Sequence, residues 1–357
     1  MSSRAASRGA MREGRPGVVD KVAAKSREKP VAVIPVAGVG SRLRPHTHTV
    51  PKALINVAGK PMLAHILDEL ERLGIVSVAL VVGHMGDLIR HFVGRHYRHL
   101  EVRYVEQLDR QGLGHAVYLT RSTLPGRPLL IVLGDTIFRA DFQGVIASPV
   151  SLLGVQEVED PRRFGIVEVG PDDRVVRLVE KPEHPTSNLA LVGIYYIAEG
   201  DLLYDALEEM IRLDRRTRGE YQLTDALQLM LDRGHTMQVF HVEGWYDCGQ
   251  PESLLATNRA LLDMQGGGGM AADSTGVVLP PVAIDPTATV LGSIIGPHVS
   301  IAAGAVVRNS IVKNAIINES AIVEDVLLDA SVIGDHAVVR GAFKRLNVGD
   351  SSEVELI

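Results

Sequence analysis

Arg42, Arg44 and Lys52 span eleven residues of one stretch, 36–61, that also holds Gly38, Gly40 and three prolines. Glycines let a backbone come close to a ligand, and their amides can converge on an anion. Basic side chains placed around such a loop suit a di- or triphosphate. The spacing is not that of a dinucleotide fingerprint, which needs a third glycine and a helix at once. Nor is it that of an ATPase loop, which ends Gly-Lys-Ser/Thr. A second acidic position complements the loop. Asp135 ends the apolar run "PLLIVLGD", and a carboxylate at a strand end facing phosphates is a natural Mg²⁺ ligand.

Elements must hold these groups in place. The run "VAVIPV" (31–36) reads as a buried strand feeding the glycine-rich loop. Next comes "PMLAHILDELERLG", with Met62, Leu63, Ile66, Leu67, Leu70 and Leu73 at helical spacing, proline at the start and glycine at the end. "VSVALVVG", "EVRYVEQ" and "PLLIVLGD" read as strands. "GDLIRHFVGR" and "GLGHAVYLTRSTL" between them read as helices. Aliphatic strands alternating with helices predict an α/β domain with a Rossmann-like, mainly parallel sheet covered on both faces. The loop then sits at a strand's carboxyl end, where open α/β sheets bind ligands. After residue 150 the pattern is mixed. Four strand-like runs, helices near 200–213 and 223–232, and the strand "TMQVFHVEGWYD" are expected to extend the same domain.

The catalytic-type domain is expected over 30–264, and "QGGGGMAADSTG" (265–276) reads as a flexible linker. Beyond it, over 277–357, Ile284, Val290, Ile295, Ile301, Val307, Val312, Ile317, Ile322, Leu328, Ile333 and Val338 recur every five or six residues. This is the pattern of a hexapeptide-repeat parallel β-helix of about three to four coils, left-handed in its known family. Residues 1–29, with eight Lys/Arg against three Asp/Glu, read as a disordered basic tail without the apolar segment of a secretory signal.

Composition narrows the function classes. A formal net charge of −6 argues against general nucleic-acid binding. A single cysteine, Cys248, rules out a disulfide framework or a cysteine zinc site and fits a reducing cytoplasm. No apolar run is long enough to span a membrane.

The pattern "GxGxRLxPxT…PKxxxxVxGKP" closely resembles the signature of sugar-1-phosphate nucleotidyltransferases, also called NDP-sugar pyrophosphorylases. The resemblance runs over 31–262 and includes "QLDRQGLGHA" (107–116), "VLGD" (132–135), "FGIVEV" (164–169), "VEKP" (179–182), "SNLALVGIYYI" (187–197), "GEYQLTDAL" (219–227) and "WYDCGQPESL" (245–254). In architecture the chain resembles the long form of glucose-1-phosphate thymidylyltransferases, which carries a C-terminal left-handed β-helix. The resemblance implies attack by a sugar-1-phosphate on the α-phosphorus of a nucleoside triphosphate, with Mg²⁺ as cofactor. It also implies roles. Arg42 and Lys52 serve the triphosphate and the leaving pyrophosphate. Ala37, Gly38, Gly40 and Ser41 complete the phosphate loop. Asp135 and Asp247 hold the metal. Lys181 contacts the sugar phosphate and Glu180 the sugar hydroxyls, and Gly165, Asn188 and Gly193 line the sugar pocket. Gln107 and Gly112 match the base-reading positions of pyrimidine-specific members, because a glutamine amide can both donate to and accept from thymine or uracil. That favours dTTP or UTP. The methyl separating the two is worth only ~1 kcal/mol and is not legible. His46 and His48 are read as loop residues, since the family's metal sites use carboxylates; Arg44 is left without a firm role.

Other readings stand beside this one. "IPVAGVGSR" and "GLGHAV" look more like bacterial UTP–glucose-1-phosphate uridylyltransferases, which typically lack a β-helix. A mannose-1-phosphate guanylyltransferase is a further alternative, with glucose-1-phosphate the favoured sugar. A catalytically silent regulatory subunit would have lost phosphate-binding residues, yet Arg42, Lys52, Asp135, Lys181 and Asp247 are all present. An acyl-transferring β-helix would use a histidine, and His298 and His336 are better read as corner residues. The β-helix is expected to assemble a homo-oligomer.

Overall fold

In the first strand, β1 (Val31–Pro35), alternate residues enter two different cores. Val31 and Val33 join one apolar cluster, Ala32 and Ile34 another, and all four are fully buried. The period of two inside a continuous apolar run therefore marks a central strand with protein on both faces. The computed structural model describes residues 29–139, 142–266 and 273–341, so the basic tail read over 1–28 lies outside them.

After β1 the chain forms short 3₁₀ turns at Ser41–Leu43, His46–His48 and Lys52–Leu54. A hairpin, β2 (Asn56–Val57) and β3 (Lys60–Pro61), leads directly into α1 (Met62–Arg72). Next come β4 (Ser77–Val82), α2 (Gly86–His96), β5 (Glu101–Glu106), α3 (Leu113–Tyr118), β6 (Leu129–Val132), β7 (Thr136–Arg139) and α4 (Phe142–Ile146). The second half adds β8 (Ser151–Glu157), β9 (Gly165–Val169), β10 (Val175–Glu180), β11 (Leu189–Ile197), α5 (Gly200–Arg212), α6 (Leu223–Asp232), β12 (Met237–His241), β13 (Gly244–Asp247) and α7 (Pro251–Gln265).

The main sheet runs β5-β4-β1-β6-β11, then forks into β9-β10 and β8-β12. β1, β4, β5 and β6 are mutually parallel, while β11 lies antiparallel to β6. The chain crosses from one side of β1 to the other between β5 and β6. The carboxyl ends of β1 and β6 therefore flank the point where strand order reverses, the usual ligand crevice of such sheets. Helices α3, α5 and α6 cover one face and α1, α2 and α4 the other. In α1, Met62, Leu63, Ile66, Leu67 and Leu70 are buried at three- and four-residue spacing. Each such side chain contributes roughly 1.5–3 kcal/mol relative to exposure.

Three departures from the sequence reading have physical causes. "GLGHAVYLTRSTL" is helical only to Tyr118, then turns as a 3₁₀ segment at Arg121–Thr123. "TMQVFHVEGWYD" splits: β12 joins the main sheet, while β13 pairs with β7 in a separate two-stranded ribbon. Helix α7 was not expected, because Thr257 and Asn258 lie on its buried side and break the apolar stripe.

The β-helix begins earlier than read. Residues 273–276, expected in the linker, already form part of β14 (Asp273–Val278), and 267–272 lie outside the described residues. Then follow β15 (Val282–Ile284), β16 (Thr289–Ile295), β17 (Val299–Ile301), β18 (Val306–Arg308), β19 (Ile311–Val312), β20 (Ala315–Ile317), β21 (Ile322–Glu324), β22 (Leu327–Leu328), β23 (Ser331–Ile333) and β24 (Val338–Arg340). All pair in parallel and curl into a left-handed helix. Register returns every 16 or 17 residues, as in Val290, Val307, Val323 and Val339. Corner positions adopt positive φ: His298, Asn314 and Ala330 stack at one corner, Gly304, Ser320 and His336 at another. Both histidines thus sit at corners.

One face, β15-β17-β20-β23, packs on α7 and on the hairpin β2–β3. Another carries an exposed aliphatic ladder, Val277, Ile294, Ile311 and Leu327, in strict register, with Leu327 70% exposed. Among the described residues no helix is long and apolar enough to cross a membrane.

Candidate functional site

Backbone pairing at the carboxyl ends of β1 and β6 starts a ring of contacts. Val36 N donates to Val81 O over 2.8 Å, and Gly134 N donates to Pro35 O over 3.3 Å. Gly134 and Gly83 are glycines by necessity of packing. A Cβ on Gly134 would lie 2.4 Å from Val36, and one on Gly83 would lie 2.9 Å from Ala37 O. These two positions let the glycine-rich loop start flush with its neighbours, and the sequence reading had given neither a role.

Within the loop, Gly40 has φ 60, and a Cβ there would meet Thr47 at 2.8 Å and Lys52 at 3.0 Å. Only glycine allows this left-handed turn in so tight a place. Thr47, buried, donates its hydroxyl to Gly40 O over 2.8 Å and locks the turn. Gly38 has no positive φ, and a Cβ there meets nothing within 4 Å. Ala37 is buried, while Ser41 and Arg42 are exposed on the first 3₁₀ turn. Neither the Arg42 nor the Arg44 side chain has a hydrogen bond or ion pair among the described residues. His46 is half-buried; burial holds its imidazole below the usual value, against the opposing charge of Asp335. His48 is exposed.

Lys52 Nζ lies 2.5 Å from Asp135 Oδ2, closing the loop onto the end of β6. The β7–β13 ribbon brings the second aspartate alongside: Asp247 pairs with Thr136, and Cys248 N donates to Asp135 O over 3.2 Å. The two carboxylates supply hard oxygen ligands. Among the described residues no third His, Cys, Asp or Glu completes a metal cage. Such a donor set fits Mg²⁺, which commonly takes one or two carboxylates with substrate phosphates and water. Burial pushes the Cys248 thiol up to about 12.

From Asp247 the ring continues through Trp245, which meets Phe164 edge-to-face with centroids 5.0 Å apart. Lys181 N donates to Phe164 O over 3.0 Å, and its ammonium lies 3.1 Å from Glu180 Oε1. Glu180, with its side chain 8% exposed, also accepts from Thr224 Oγ1 over 2.7 Å. Gly165 faces this pair; a Cβ there would lie 3.0 Å from Glu180 and 2.8 Å from Thr224. The segment around Tyr221 then leads to Gly112 and Gln107. Gly114 N donates to Tyr221 O over 2.8 Å, and a Cβ on Gly112 would lie 2.6 Å from that oxygen. Gln107 N donates to Val82 O over 2.8 Å, which returns the ring to β4 and Gly83.

Gln107 is nearly buried, and its Nε2 faces Gly112 O at 3.1 Å and His115 Nδ1 at 3.2 Å. Both amide hydrogens are engaged inside the protein, so its oxygen alone is left to accept. Two residues stand apart from the ring. Gly193 is the bulge in β11, close against Leu133, and shapes the floor. Asn188 is exposed before β11, where its carbonyl accepts from Val158 N. Residues missed in the sequence are Thr224, Tyr221, Phe164 and Trp245. All four lie in quoted motifs, and Trp245 is the chain's one tryptophan.

The family described as nucleotidyl transferase matches residues 31–264. Among curated proteins, the low-salt glycan biosynthesis nucleotidyltransferase of Haloferax volcanii is 36% identical over 234 residues, covering 63% of this chain and 64% of that one. A glucose-1-phosphate thymidylyltransferase of Streptomyces griseus is 33% identical, covering 91% of this chain and 99% of its own. Among solved structures, a UDP-glucose pyrophosphorylase complexed with UDP-glucose superposes with a TM-score of 0.59 at 25% identity, covering 66% of this chain and all of that one.

Proposed function

This chain belongs to the nucleotidyl transferase family, and on that premise we propose that it joins a nucleoside triphosphate to a sugar-1-phosphate, releasing pyrophosphate and a nucleoside-diphosphate sugar. The observation that carries the reading is the meeting of Lys52 with Asp135 at the end of β6, next to the ribbon that holds Asp247. A sugar-phosphate oxygen forms a bond to the α-phosphorus. The bond from that phosphorus to the oxygen bridging the β-phosphate breaks, and its electron pair leaves with pyrophosphate. The attacking oxygen is already ionised, so no side-chain base is required, and the residues act by placing and neutralising anions.

Arg42, exposed and with its side chain unpaired among the described residues, is placed to clamp the β- and γ-phosphates bidentately. Lys52 is oriented by Asp135 toward the same phosphates. The open space around Gly38 gives backbone access to the nucleotide, with Ala37, Gly40 and Ser41 beside it. Asp135 and Asp247 would hold Mg²⁺, which when bound neutralises charge on the α-phosphate. On the far side of the ring, Lys181 takes the sugar phosphate. Glu180, fixed by Thr224, accepts sugar hydroxyls, with Gly165, Gly193 and Asn188 near them. Gln107 Oε1, left free beside Gly112, accepts from the N3–H of thymine or uracil. This supports dTTP or UTP, and the family resemblance favours glucose-1-phosphate as the sugar. The exposed ladder on the β-helix supports a homo-oligomer, and the lone buried cysteine supports a cytoplasmic enzyme.

The test is pyrophosphate release from a matrix of four nucleoside triphosphates against several sugar phosphates. We expect dTTP or UTP with glucose-1-phosphate to lead, and excess EDTA to abolish turnover. A clear GTP or ATP preference would overturn the base assignment. No release with any pair would favour a silent subunit.

A further inference from the structure

Asn258 sits in the middle of α7, a place where asparagine costs helix stability relative to alanine. It is fully buried, and its side-chain hydrogen bonds all leave the helix. Its Oδ1 accepts from Ala58 N over 2.9 Å and from Ser300 Oγ over 2.7 Å, and its Nδ2 donates to His298 O over 3.2 Å. Ala58 belongs to the β2–β3 hairpin that closes the phosphate loop, whereas Ser300 and His298 belong to the β-helix. The same hairpin is gripped twice more. Asn56 Nδ2 reaches Asn318 Oδ1 at 3.4 Å, and at the hairpin tip a Cβ on Gly59 would lie 3.0 Å from Ala283. Ile316 points out of the β-helix yet is fully buried, in one cluster with Leu43, Ile55 and Val57 of the loop.

We propose that the β-helix is a working part of the active site, and that Asn258 is the positioning residue through which it holds the loop carrying Arg42 and Lys52. The loop has two anchors. The inner one is the Gly40–Thr47–Lys52 contact. The outer one is the hairpin, and its partners come from α7 and the β-helix. Without the outer anchor, Lys52 and Arg42 keep their place in sequence but lose their fixed place against Asp135. A misplacement of about 1 Å at such a site can cost about a hundredfold in rate. This inference rests on the nucleotidyl-transfer reading above.

The experiment compares the full-length wild type with Asn258→Ala, Ser300→Ala and Val307→Ala. Val307 is buried in the β-helix core, so its truncation destabilises that element without touching the hairpin. Each variant is first measured by urea unfolding and then assayed where it is fully folded. We expect Asn258→Ala to lose about tenfold or more in kcat/KM for the nucleotide. Its KM for the sugar phosphate should stay within about twofold, because Lys181 and Glu180 are held elsewhere. Val307→Ala should keep both constants despite a comparable stability loss. Hydrogen exchange over residues 38–58 should quicken in Asn258→Ala and Ser300→Ala and remain unchanged in Val307→Ala. Unchanged exchange and constants in folded Asn258→Ala, or equal losses in Val307→Ala, would overturn the proposal. If the wild type transfers no nucleotide, the exchange measurement still decides the brace while the function reading fails separately.

Discussion

At the residue scale, the site divides its charges into those already paired and those left free. Lys52, Asp135, Glu180 and Lys181 are held by partners, whereas the side chains of Arg42 and Asp247 have none among the described residues. Free charged groups at the mouth of a crevice await a ligand of opposite charge. Replacing Arg42 with alanine should therefore lower kcat/KM by about 100-fold or more, with little change in unfolding midpoint. Steady-state kinetics beside urea melts check both halves. A different residue governs acid sensitivity. His65, behind the hairpin, donates Nε2–H to Val57 O over 2.9 Å. Burial is the main cause that lowers its pKa from 6.5 to about 4. Between those values the unfolded chain takes up a proton that the folded chain refuses. His65's contribution is therefore complete above pH 6.5 and lost as pH falls toward 4, by about 2 kcal/mol between pH 7 and pH 5. His65→Gln should flatten that part of the pH dependence by a similar amount in urea melts at the two pH values. The charged residues that the structure brings together here stand out in the sequence because their types and order are distinctive. Thr224 and Tyr221 do not. The first acts through a hydroxyl on Glu180 and the second through its backbone carbonyl, and neither carries a signal of charge or spacing.

Elements explain why one loop can be both long and fixed. The stretch from β1 to α1 has almost no sheet pairing of its own, yet three 3₁₀ turns and a two-residue hairpin order it. Gly40 is the joint most exposed to failure. Alanine there would face the left-handed strain, about 1–2 kcal/mol, and would press on Thr47 and Lys52. Gly40→Ala should cost far more in kcat than Gly38→Ala, whose Cβ meets no protein atom. Paired kinetics on the two variants would show it, and equal losses would count against the packing argument. Strands β1, β4 and β6 and helix α1 were legible because strict periodicity accompanied burial. The β7–β13 ribbon and α7 were not: a four-residue strand has too little pattern, and α7 turns two polar residues inward. Asn258 in particular is a polar residue in mid-helix, and nothing in the local pattern signals its three buried partners.

For the whole molecule, the sequence foretold a β-helix but not where its faces point. Periodicity reports which side chains enter the shaft and is silent on which face meets a neighbour. One face is taken up by α7 and the hairpin, and another bears the exposed aliphatic ladder. If the ladder joins copies of the chain, Ile311→Asp with Leu327→Asp should lower the mass found by light scattering while leaving the melt nearly unchanged. An unchanged mass would remove the ladder from the interface. The register of the shaft, 16 or 17 residues per turn, has a different consequence. Ala283 and Asn318, which touch the hairpin, and Ser300, which touches the Asn258 that holds it, sit on successive rungs, so those rungs act as a gauge set against the catalytic half. Whole turns appended beyond Ile333 would lengthen the shaft without altering that alignment. A turn removed between Ala283 and Asn318 would shift it by one rung. Length in this part of the protein can thus vary freely only at its distal end, and only in whole-turn increments.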